Sequence, residues 1–208
     1  NVVLKKNYID NFETESFDLM AGVTLDEYKL WSAFHPLYKN LSKENLIKRL
    51  SKIFKHSIGD IIKLYSDYID DNHYGNLLSS IMTDLTFGSP VEDLLKKNKS
   101  SYGYIFTPQS PLLNGELGAF HASELPYLFG VQNNSVYKKW SPDYRDQTAK
   151  IMQDAWINFA KNGDPSTNHF KWEKFSNSSK YALIADSIEN INSPFKERYQ
   201  LLDHAKNF

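Results

Sequence analysis

The chain has 208 residues, and its 24 Lys and Arg against 25 Asp and Glu leave a net charge of −1, which gives no electrostatic footprint for a nucleic-acid partner. Hydrophobic residues at 41% can pack a core, enough for one sizeable domain or part of a larger one, while the lack of cysteine removes disulfides, thiolate–zinc sites and cysteine nucleophiles. No apolar run approaches the ~20 residues of a membrane helix, and no signal pattern opens the sequence, so the compartment stays open with a slight lean to the cytoplasm.

Residues 17–23, Phe-Asp-Leu-Met-Ala-Gly-Val, form a short apolar run of the kind expected of a buried strand. From Ser42 the spacing turns helical: Leu46, Ile47, Leu50, Ile53 and Phe54 predict one amphipathic helix, and Ile58, Ile61, Ile62, Tyr65, Tyr68 and Ile69 a second. Leu77, Leu78, Ile81, Met82 and Leu85 predict a third, ending before Gly88 and Pro90. Its Asp84, among apolar neighbours, reads as a buried hydrogen-bonded carboxylate. Residues 102–107 predict another strand, followed by a long Pro-containing loop, 108–118. Ser141 and Pro142 suit a helix start, with Tyr144, Met152, Ala155, Trp156 and Phe159 on the buried face and Gly163 as the stop. A strand over 181–185 and a basic helical tail from Pro194 complete an α/β pattern without repeats.

The sequence holds no Gly-rich phosphate loop, G-x-G-x-x-G turn, His-Glu-x-x-His helix or EF-hand loop, so neither metal nor organic cofactor is expected. His35, His56, His73, His169 and His204 lack a second ligand at helical spacing and read as surface residues. His121 differs, because the small residues Gly118, Ala119, Ala122 and Ser123 around it would let an imidazole project into a cleft. A lone loop histidine is more often non-catalytic, and Glu124 could equally serve a helix start.

Residues 118–130 fit Gly-Ala-x-His-x-x-Glu-Leu-Pro-Tyr-x-Phe-Gly, which resembles the catalytic-histidine motif of the type-B carboxylesterase and cholinesterase family. Residues 152–165, Met-Gln-Asp-Ala-Trp-Ile-Asn-Phe-Ala-Lys-Asn-Gly-Asp-Pro, with Trp172 beyond, resemble that family's signature helix and turn. Gly22-Val23-Thr24-Leu25-Asp26-Glu27 is similar to its Gly-x-x-x-Asp-Glu segment, with Tyr28 where a glycine is common and Trp31 beyond it as in one bacterial subgroup. The resemblance implies that residues 1–208 are the C-terminal part of an α/β-hydrolase fold: a few sheet strands with several helices, a helical insertion at about 42–97, and the N-terminal part of the sheet missing. It implies Glu27 as triad acid and His121 as triad histidine. The Gly-x-Ser-x-Gly elbow and oxyanion hole, absent here, would belong to the N-terminal part of the same protein. The substrate implied is a small carboxylic ester; the alternative is a non-catalytic, cholinesterase-like interaction domain.

Three carboxylates compete for the imidazole. Asp26 and Glu27 are adjacent at a strand end and should point apart, leaving one to face the cleft, and the resemblance assigns that one to Glu27. Glu124, three residues from His121, is expected to brace the loop.

Overall fold

The computed structural model describes residues 17–68, 73–131, 134–140 and 145–206. Four short runs form one sheet: β1 (Leu19–Thr24), β2 (Ser101–Phe106), β3 (Lys180–Ile184) and β4 (Ile188–Asn192), in that spatial order. The first three are parallel, with Leu19 opposite Ser101 and Phe106 opposite Ile184, and β4 returns antiparallel to β3. Parallel neighbours need crossovers. The β1–β2 crossover contains α1 (Lys29–Ser32), α2 (Pro36–Lys39), α3 (Lys43–Leu50), α4 (Ile58–Tyr68), α5 (Tyr74–Thr83), a π-helical turn (Asp84–Gly88) and α6 (Ser89–Lys97). After β2 come α7 (Leu125–Phe129), α8 (Tyr137–Trp140), α9 (Asp146–Asn162) and α10 (Phe175–Ser178), and α11 (Lys196–Lys206) follows the sheet.

Local chemistry sets several of these boundaries. The Ser42 hydroxyl accepts the Asn45 amide at 3.3 Å and opens α3. At the far end of α9, Gly163 takes φ 70° and returns its amide to Phe159 O at 2.8 Å. The expected cap at Ser141-Pro142, with Tyr144, lies outside the described residues, as does Ile69.

One expectation fails instructively. The third helix does not stop before Gly88 and Pro90; Gly88 and Ser89 keep helical dihedrals, and the Ser89 amide reaches back to Asp84 O, five residues earlier. Pro90 falls in the first turn of α6, directly after the π turn. A Cβ on Gly88 would lie 2.1 Å from the Tyr199 hydroxyl, so this glycine is a point of close approach. Nor was β4 foreseen, since Glu189, Asn190 and Asn192 give it a loop-like composition.

Both faces of the sheet are covered, as its parallel strands require. Tyr102, Phe106, Ala182 and Ile184 pack with Met152 and Ala155 of α9 and with Trp172, whose indole donates to Gly103 O at 3.2 Å. On the other face Val23, Ile105 and Tyr181 meet Leu95, Phe195 and Tyr199. A separate helical core joins Leu46, Leu50, Ile61, Tyr65, Leu77 and Ile81 to Leu202 and Ala205 of α11. Each buried Leu or Ile of this core contributes roughly 1.5–3 kcal/mol.

Candidate active site

Two loops at the carboxyl ends of adjacent parallel strands build the site, the position where α/β sheets gather functional groups. Beyond β1, the Leu25 amide still bonds Phe106 O at 2.9 Å, and then the chain turns. Glu27 folds back so that Oε1 accepts the Thr24 amide at 2.8 Å, while Oε2 stands 2.6 Å from His121 Nδ1. Asp26 points elsewhere: its carboxylate accepts the Ala119 amide at 3.0 Å and pairs with Lys29 at 2.9 Å. The two loops also exchange backbone bonds, Asp26 N to Ala119 O at 2.9 Å and His121 N to Glu27 O at 3.3 Å. Gly118, at φ 57°, makes this contact possible, because a Cβ there would lie 2.2 Å from Asp26 Oδ2.

The histidine loop is anchored by Ala119 and Phe120, both fully buried, and it turns sharply at Ala122, whose φ of 68° is rare for a residue with a Cβ. Glu27 is 5% exposed, whereas the His121 side chain is 41% exposed. A carboxylate only accepts, so Nδ1 is the donor of this bond, and Nε2 is the nitrogen turned from it. Two aromatic rings flank the imidazole, Trp31 with its centroid at 5.2 Å and Phe87 of the π turn at 5.1 Å, themselves stacked at 6.0 Å. Thr83 Oγ1 accepts the Tyr28 amide at 3.0 Å, tying the end of α5 to the acid loop. Nothing in the sequence linked Phe87 or Thr83 to this site, since both come from the crossover helices.

Glu124 makes no hydrogen bond to the imidazole. Burial raises its carboxyl above the ordinary range; its own amide and the nearness of His121 oppose that, and the charge of Glu27 adds to it. Its Oε2 is buried without a hydrogen-bond partner among the described residues, as are the hydroxyls of Thr24 and Ser123. The Tyr104 phenol is likewise pushed up, first by burial and then by the charges of Glu124 and Glu27.

The other five histidines are exposed. His35 caps α2 by accepting the Leu37 amide at 3.2 Å, and the rings of His56 and His204 meet at 4.9 Å. Among the described residues no group of three or more His, Cys, Asp or Glu is arranged to hold a metal ion, and no helix is long and apolar enough to cross a membrane. A cleft of about 570 Å³ opens beside Lys29, Tyr38, His73 and Glu116, but neither Glu27 nor His121 lines it. The chemistry and this cleft therefore do not coincide.

A mixed sheet of three parallel strands and one antiparallel strand, packed by helices on both faces, is a partial α/β-hydrolase fold. A sequence profile described as the carboxylesterase family matches residues 2–202, and the chain belongs to that family. Para-nitrobenzyl esterase of Bacillus subtilis is 30% identical over 197 residues, covering 90% of this chain and 38% of that protein. Phenmedipham hydrolase of Pseudarthrobacter oxydans is 23% identical, covering 83% of this chain and 36% of that protein. A solved Geobacillus stearothermophilus carboxylesterase superposes with a TM-score of 0.73 at 24% identity, over 88% of this chain and 39% of that one; at that identity the likeness concerns the fold alone. The chain thus spans about two-fifths of the length of the relatives it matches.

Proposed function

We propose that this chain supplies the acid and the general base of a carboxylic-ester hydrolase, the whole protein acting on small carboxylic esters through a serine acyl-enzyme. The observation that carries the reading is the 2.6 Å contact between His121 Nδ1 and Glu27 Oε2, with the carboxylate buried and the ring half-exposed. A serine hydroxyl is a weak nucleophile at neutral pH and needs a base as it attacks. An imidazole, with its ordinary pKa of ~6.5, can take that proton at Nε2 and return it to the departing alkoxide. Glu27 fixes the tautomer and stabilises the imidazolium, while Asp26 holds the two loops in register.

The serine and the oxyanion hole are assigned to the N-terminal part of the same protein, which makes that part the obligatory partner of these residues. Glu124 is assigned a supporting place beneath the imidazole, and the helices within 42–97 a place in the wall of the site. The test compares the complete protein with residues 1–208 alone. The complete protein should hydrolyse p-nitrophenyl acetate and be labelled stoichiometrically by a serine-directed phosphonate, with the shorter chain inert to both. Turnover by the shorter chain overturns the division of labour, and a complete protein that neither turns over nor labels favours the non-catalytic interaction domain.

A further inference from the structure

The π turn between α5 and α6 is the element that brings Phe87 to the imidazole, and a π turn does not hold itself. It inserts one extra residue and forms less favourable i→i+5 bonds, so it persists where surrounding contacts enforce it, frequently at functional sites. Here the enforcing contacts come from α11. Asp84, the first residue of the turn, is 3% exposed; Arg198 of α11 places Nε 2.9 Å from Oδ2, an ion contact, and its Nη2 donates to Oδ1 at 3.3 Å. The Tyr65 hydroxyl donates to the same carboxylate at 2.6 Å. Phe195, Tyr65 and Tyr68 surround the guanidinium, with ring centroids at 4.5, 5.3 and 5.5 Å. At the other end of the turn Tyr199 packs into the space left by Gly88, and Ser89 donates to Asp203 at 3.3 Å. Three ties, at Asp84, Gly88 and Ser89, therefore fasten the turn and the start of α6 to α11, and Phe87, which lies between the first two, stands against His121.

We infer that Arg198 and Asp84 are positioning residues for His121: α11 holds the π turn, the turn holds Phe87, and Phe87 limits where the imidazole sits. The inference rests on the hydrolase reading above for its kinetic part only. Neither residue touches the reacting atoms. The planar guanidinium suits this duty because its Nη2 bond to Oδ1 and its stacking among the three rings fix direction as well as distance, which a lysine ammonium does not.

The experiment is a double-mutant cycle in the complete protein, with Arg198→Met, Phe87→Leu and the pair. Each single change should lower kcat for p-nitrophenyl acetate by roughly 10- to 100-fold, the range that about an ångström of misplacement can cost a catalytic group, with KM within about twofold. The pair should be no slower than the slower single variant, because both changes remove one linkage. Where Arg198→Met does not fold, Arg198→Lys, which keeps the charge and loses the planar group stacked among the rings, takes its place. Independently of turnover, the His121 ring-proton resonances should move in the same direction in Phe87→Leu and in the Arg198 variant, because both take an aromatic ring current from the imidazole. Losses that multiply in the pair, or His121 resonances unmoved in the Arg198 variant, overturn the inference; an Arg198 variant that loses thermal stability at unchanged kcat does the same. A wild-type protein without esterase activity would sink the hydrolase reading instead, and the resonances alone would then decide this one.

Discussion

Two buried carboxylates, Glu27 and Asp84, each pair with a cationic or titratable nitrogen, and their surroundings differ. Glu27 meets an imidazole whose side chain is 41% exposed and whose Nδ1 is held by the carboxylate. Asp84 meets a guanidinium that is 13% exposed, that never gives up its proton, and that is enclosed by three aromatic rings. In the roles proposed above, the first pair moves a proton and the second fixes a position. Burial alone does not distinguish them; the partner's access to solvent and its chemistry do.

The sharpest way to break the first half of that comparison is to remove the imidazole. In the complete protein His121→Ala should lower kcat by on the order of 10⁴-fold or more with the fold intact, as losing a general base does in other triads. Stopped-flow or steady-state p-nitrophenyl acetate kinetics with a matching circular dichroism spectrum check it, and near-normal kcat would remove His121 from the mechanism.

Next in size is the choice among carboxylates. Glu27→Gln should retain KM and cut kcat by roughly 10²–10⁴-fold, because a neutral amide cannot stabilise the imidazolium. Asp26→Asn and Glu124→Gln should each lose less, since Asp26 bonds the Ala119 amide and Glu124 makes no hydrogen bond to the ring. Parallel kinetics on the three variants rank them, and an Asp26→Asn or Glu124→Gln variant slower than Glu27→Gln would reverse the assignment.

The smallest effect sharpens the second half. Burial raises the Asp84 carboxyl from 3.8 to about 6, against the opposing pull of Arg198 and Tyr65. The folded state thus holds this proton more tightly than the unfolded chain. The contribution favours folding below about pH 4 and is lost as pH rises to about 6. Relative to Asp84→Asn, the wild type should lose on the order of 3 kcal/mol of stability across that window and then level off. Chemical denaturation of both proteins at pH 4, 5, 6 and 7 measures the difference; a gap that is flat or widens in favour of wild type with rising pH would contradict it.

Much of the frame was legible in the sequence because its signals are local. The apolar runs of β1, β2 and β3, the Ser42 cap and the Gly163 stop each act within a few residues. The histidine loop was legible through its family motif, and the apolar setting of Asp84 announced a buried carboxylate. What escaped depends on partners far along the chain. The polar β4 is a strand because β3 pairs with it. Gly88 and Pro90 read as a stop, although Tyr199 of α11 makes use of the glycine's bare surface. The partner of Asp84 lies 114 residues away, and no periodicity reports that.

The placement of β1 beside β2 also bears on how the protein folds. Glu27 and His121 are separated by 94 residues, yet their loops meet because the two strands are neighbours in register. The intervening helices can form from contacts near in sequence, whereas the strand pairing must close a long loop before any contact rewards it. The acid–histidine contact is consequently a feature of high contact order, and a chain that has collapsed around its crossover helices alone would carry no trace of it.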